Sequence, residues 1–88
     1  MRFLQYDFQA GPGDVIEVTL DRQANVRLLD SVNLQRYRRG QQYRYYGGLA
    51  QASPARLVPP YEGRWHVVVD LGGAGGTVRT SACLNRGA

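Results

Sequence analysis

Short runs of β-branched, aromatic and aliphatic residues recur about every ten residues along this chain, and glycine or proline closes nearly every one. That rhythm points to an antiparallel sandwich or barrel, since no stretch sustains a helical period. The strongest run is WHVVVDL at 65–71, where Trp65, Val67, Val69 and Leu71 alternate with His66, Val68 and Asp70. Side chains alternate across a strand, so the first set is expected to face the core and the second to face away.

The same alternation predicts a strand at 3–8, with Leu4, Tyr6 and Phe8 on one side, and a turn at Gly11-Pro12-Gly13-Asp14. Residues 15–20 then place Ile16, Val18 and Leu20 inward, and 26–29 do the same with Val26 and Leu28. Tyr43 to Tyr46 is β-prone and is expected to end at Gly47-Gly48. Residues 54–58, bordered by Pro54 and by Pro59-Pro60, suit an edge strand, where a missing N–H costs little. The glycine-rich loop 72–76 leads into a last strand at 77–84 and is expected to be a hairpin connection. Between the third and fourth strands, Asp30 and Ser31 are both suitable N-caps and Gly40 suits a helix C′ position. That segment holds either one or two helical turns or an irregular loop.

Eighty-eight residues bury roughly 60–65% of the unfolded chain's surface, enough for one modest core. The expected fold is therefore a single all-β domain over 1–88. We read it as an antiparallel, jelly-roll-like β-sandwich of about seven or eight short strands, with room for one short helical turn near 31–39. The lone cysteine, Cys83, excludes an internal disulfide and a cysteine-based metal cluster. No apolar run approaches the ~18 residues of a membrane span, and MRFLQYDF has no signal-peptide core, so a cytoplasmic address is expected.

The pieces MRFLQYDF, GDVIEVTL, ANVRLLDSVNLQRYRRG, YYGGL, SPARLVPP and GRWHVVVDLGGAGGTVRTS, running from Arg2 to about Leu84, resemble the bacterial domain family DUF1883. The resemblance implies a compact β-sandwich that stands alone or beside other domains, among them TIR domains in defence or signalling proteins. It implies no activity and no catalytic residues. It also marks the YYGG stretch at 45–48 and Trp65 as family features with structural roles.

Charge is distributed unevenly. Every basic residue is arginine, and Arg36, Arg38, Arg39, Arg44 and Arg56 all lie between Asp30 and Glu62, an interval with no acid. Within it, RYRRGQQYRYYGG at 36–48 interleaves arginine with tyrosine. Guanidinium on phosphate or carboxylate, with rings stacked on a planar group, is the chemistry of protein hot spots and of single-stranded nucleic acid binding. The candidate binding residues are Arg36, Tyr37, Arg38, Arg39, Tyr43 and Arg44. The competing structural reading packs the tyrosines on the core and leaves the arginines solvated.

Other constellations are weaker. His66 shares a strand face with Asp70, but four strand residues separate them by about 13 Å. Cys83 is the other conceivable partner, as a cross-strand neighbour, yet no orienting motif surrounds the pair. The bland reading is a partly exposed sheet histidine and a small buried cysteine. The GGAGG loop lacks the helix and lysine of a phosphate loop, and one histidine with one cysteine does not furnish a zinc site. The expectation is thus no enzyme, no cofactor and no metal, but an interaction module for a partner protein or small ligand. Single-stranded nucleic acid or another anion ranks second, and a homo-oligomer is compatible with the short edge strand.

Overall fold

The computed structural model describes residues 3–72 and 75–86. Among them the elements run β1 (Leu4–Ala10), β2 (Asp14–Leu20), β3 (Ala24–Asp30), α1 (Ser31–Arg38), β4 (Tyr46–Ala50), β5 (Ala55–Leu57), β6 (Gly63–Asp70) and β7 (Thr80–Arg86). One sheet is ordered β1-β6-β3-β4 and the other β5-β2-β7, with every recorded pairing antiparallel. The fold is an all-β sandwich. The alternation drives it: Val26, Leu28, Trp65, Val67 and Val69 from the first sheet close on Ile16, Val18 and Leu57 from the second. Full burial of such side chains contributes about 1.5–3 kcal/mol each before the entropy cost of ordering them.

Trp65, the largest fully buried side chain among the described residues, keeps its polar edge satisfied, because its indole Nε1–H donates to the Tyr61 carbonyl at 3.0 Å. Tyr6 and Thr80 hydrogen-bond through their hydroxyls, a link from the first sheet to the second. The turn before β2 closes as expected, with the Asp14 N–H on the Gly11 carbonyl at 3.0 Å and the Gly11 N–H on the Asp14 carboxylate at 2.9 Å. β5 lies at a sheet edge, in keeping with its bordering prolines.

The structure decides one open alternative and changes three expectations. First, of the two alternatives for the segment after β3 the helical one is realised, as α1, because both ends are capped and Leu34 is buried beneath it. Second, β4 begins at Tyr46 and runs through Gly47-Gly48 instead of ending there. Gly47 has φ +94°, and a Cβ there would sit 2.5 Å from the Val26 carbonyl oxygen, so glycine lets the edge strand press against β3. Third, the chain after β6 does not form a hairpin, since β6 pairs with β1 and β3 while β7 pairs with β2 in the opposite sheet. The segment is a crossover, and Gly73 and Ala74 within it lie outside the described residues. Fourth, the outer face of β6 is not open: His66, Val68 and Asp70 are 5%, 0% and 3% exposed. α1 covers them.

Candidate functional site

α1 is only eight residues long, too short to be stable alone in water, so capping and docking must hold it. Asp30, the last residue of β3, is its N-cap. The Asp30 Oδ1 accepts the Asn33 N–H at 2.8 Å, and Oδ2 accepts the Tyr61 hydroxyl at 2.8 Å. Burial pushes the Asp30 carboxyl upward, but the hydrogen bonds from Asn33 and Tyr61 outweigh it and hold the group below its usual value. At the other end the Gln41 N–H reaches the Arg36 carbonyl at 2.9 Å and the Gly40 N–H reaches that of Tyr37 at 3.2 Å. This is a Schellman closure, and Gly40 at φ +71° supplies the left-handed residue it needs.

The helix buries Leu34 against Leu29 and Val68, with Phe3, Tyr37 and Tyr43 packed around them. Phe3, Tyr37, Tyr43 and Tyr45 form a chain of ring contacts with centroids 5.1–5.5 Å apart. Two polar networks flank this small apolar seat.

In the first, the His66 Nδ1 lies 2.6 Å from the Asp7 Oδ1, and its Nε2 lies 2.9 Å from the Ser31 Oγ. Asp7 stands directly opposite His66 in the β1–β6 register, and Ser31 opens α1. The hydrogen bond to His66, and after it that to Gln5, holds the Asp7 carboxyl below its usual value. An ionised carboxylate only accepts, so the ring nitrogen that faces it, Nδ1, carries a proton; in the tautomer that has its one proton there, Nε2 accepts from the Ser31 hydroxyl.

In the second, Asp70 accepts from the Arg27 guanidinium, the Asn25 amide (3.0 Å), the Tyr37 hydroxyl (3.2 Å) and the Gly72 N–H (2.8 Å). Burial pushes Asp70 upward, yet the Asn25 and Gly72 hydrogen bonds and the Arg27 charge leave it below its ordinary value. Burial and the adjacent Asp70 charge push the Tyr37 phenol up to about 12. Arg27 also lies over the Tyr45 ring, 5.3 Å from its centroid.

The six predicted binding residues divide. Arg36, Tyr43 and Arg44 come together with Gln42 around a surface recess of about 290 Å³. The Arg44 N–H donates to the Asn33 side chain at 2.8 Å, tying this loop to the helix. Among the described residues neither Arg36 nor Arg44 forms a salt bridge. Tyr37 lies beneath, committed to Asp70 and the ring chain. Arg38 donates to the Gln5 side chain at 2.7 Å and sits over the Phe3 ring, which engages it with β1. Arg39 is the exposed C-cap residue.

Cys83 is neither the conceivable cross-strand partner of His66 nor the small buried cysteine expected. It lies on β7 opposite Glu17, exposed, in the sheet that does not contain β6. Nor is His66 partly exposed, because α1 and the Asp7 side of β1 close over it. Ser31 and Asp7 are the partners that local sequence patterns miss: they are 35 and 59 residues away from His66. The one available signal is the alternation, which sets Asp7 apart from Leu4, Tyr6 and Phe8 and sets His66 apart from Trp65 and Val67; the register that brings the two opposite one another is not local.

No group of three or more potential metal ligands occurs among the described residues. No helix among the described residues is long and apolar enough to cross a membrane. The family described as Domain of unknown function (DUF1883) matches residues 1–87 of the chain. No curated protein and no solved structure matches it.

Proposed function

Because the chain belongs to the DUF1883 family, whose description assigns no activity, we propose from the geometry at α1 that it is a binding module for an anionic group of a partner protein. The observation that carries this reading is the recess lined by Arg36, Arg44, Tyr43 and Gln42, whose two guanidinium groups form no salt bridge among the described residues. Guanidinium donates in a planar fork that matches a carboxylate or phosphate, and the recess is near the lower size limit of ligand pockets. An acidic side chain or a single phosphate suits that volume better than a long strand does. In this role the domain serves as a sensor or adaptor within a bacterial, cytoplasmic signalling or defence assembly, in line with the modular use that the family resemblance implies. Binding of this kind requires no catalysis.

Single-stranded nucleic acid is the second reading, favoured by Tyr45, which is exposed and tilted against Tyr43 as a continuing stacking surface. Fluorescence anisotropy with a labelled Glu/Asp-rich peptide and with a short oligonucleotide separates the two. The peptide is expected to bind at low salt, and the Arg36→Glu, Arg44→Glu double variant is expected to lose it while melting within about 0.5 kcal/mol of the parent. Undiminished peptide binding by that variant would sink the assignment to the recess. Tight oligonucleotide binding that weakens steeply with salt, without peptide binding, would favour the second reading.

A further inference from the structure

We propose that Ser31, His66 and Asp7 form a nucleophilic relay that transfers the acyl group of a small, uncharged carboxylic ester to the Ser31 Oγ and then to water. The proposal is independent of the anion recess and goes beyond it.

The hydrogen bonds have the order that serine nucleophiles use. The carboxylate accepts the hydrogen bond of the Nδ1–H, and the opposite nitrogen, Nε2, is 2.9 Å from the hydroxyl. Access is graded in the right sense, since Ser31 is exposed whereas His66 is only 5% exposed. The hydroxyl meets solvent and the base is screened from it.

Ser31 is also spare in the architecture of the helix. Asp30, not Ser31, caps α1, so the first turn does not need the Ser31 side chain. The junction is strand, serine, helix, and the N–H groups of Ser31 and Val32 open the helix, where no intrahelical acceptor exists. They are the donors for an oxyanion at this end of the helix dipole. No non-glycine residue among those described has positive φ, so Ser31 reaches this position on relaxed backbone. The surroundings select the substrate: the Asp30 carboxylate repels an anion, and Val32, 62% exposed, offers an apolar contact to the acyl chain.

In the first step the Ser31 hydroxyl gives its proton to the His66 Nε2 while Oγ bonds to the ester carbonyl carbon. The carbonyl π electrons move onto oxygen, held by the first-turn N–H groups. As the carbonyl re-forms, the bond to the alkoxy group breaks, and that group leaves with the proton from Nε2. Water then gives a proton to Nε2 as its oxygen adds to the acyl carbon, and Oγ departs and recovers that proton. Ester and water become acid and alcohol. Ser31 and His66 are the catalytic residues. Asp7 is a positioning residue that fixes the ring tautomer and stabilises the imidazolium.

The test treats the whole chain with a fluorophosphonate probe and with p-nitrophenyl acetate, and maps any adduct by mass spectrometry. A single adduct on Ser31 and a burst of nitrophenol equal to the protein concentration are expected. Both should vanish in Ser31→Ala with the melting curve retained. Asp7→Asn is expected to slow labelling by a factor on the order of 10³–10⁴, with Asp7→Glu restoring part of it, which a merely structural contact does not require. An unlabelled Ser31 in folded protein, under conditions that fully label a known serine hydrolase, would overturn the proposal. Adducts confined to tyrosines, or labelling indifferent to His66→Gln, would overturn it equally.

Discussion

Val67 and Val68 are neighbours on β6, both sealed from water, and each is buried by a different part of the molecule. Val67 faces the second sheet and joins an apolar core drawn from β1, β2, β3, β5 and β6. Val68 faces α1 and joins a much smaller cluster with Leu29 and Leu34, bracketed by the His66 and Asp70 networks. One face is held by non-directional burial, which tolerates adjustment. The other is held by hydrogen bonds and charges that must be satisfied one by one. The chemistry-bearing side chains lie on the second face, because only there does a strand residue meet a polar helix terminus.

The contrast breaks most sharply at Asp70. Asp70→Ala strands the Arg27 guanidinium, largely buried, without its counter-charge, and a loss of about 3–5 kcal/mol in urea unfolding is expected. A double replacement, Arg27→Met with Asp70→Leu, should recover most of it. Equal damage from the double variant would mean that the pair matters for shape and not for charge compensation.

Acid sharpens the comparison next. The carboxyls of Asp7, Asp30 and Asp70 all lie below their ordinary 3.8 in the folded protein. Each therefore contributes stability that is fully present above 3.8 and is lost as pH falls through its folded value. Asp7, the most exposed of the three, weighs least. Asp7 and Asp70 lie on the α1 side of the sheet, and Asp30 caps the helix itself. Below pH 3.8 the helical signal and amide protection of α1 should fail before the near-ultraviolet band of Trp65 does. Simultaneous loss of both signals would show that the two faces unfold as one unit.

The smallest effect is spectroscopic. In an alkaline titration of the six tyrosines, Tyr37 is expected to ionise last, near 12, and to move down when Asp70 is replaced by asparagine. A common midpoint for all six would place Tyr37 outside the Asp70 network.

Much of the inner face is legible from local pattern. The alternation at 15–20, 26–29 and 65–71 picks out Ile16, Val18, Val26, Leu28, Trp65, Val67 and Val69, and all of them enter the core. Asp30 and Gly40 are legible as helix termini, since capping depends on residues within one turn. The arginine and tyrosine content of 36–48 is visible too, but not its sorting. Whether Tyr37 is ligand-facing or buried, and whether Arg38 is free or engaged with Gln5, depends on how the helix is rotated against β1 and β6.

The sequence by itself thus determined the strand class, the inward residues and the candidate caps of a helix, because each follows from neighbours a few bonds away. Only the tertiary structure decided which face of β6 α1 covers, that Gly47 lies within a strand, and that Asp7 and Ser31 meet His66. Those outcomes rest on register between segments distant in the chain, and a period-two pattern names a face without naming what will lie upon it.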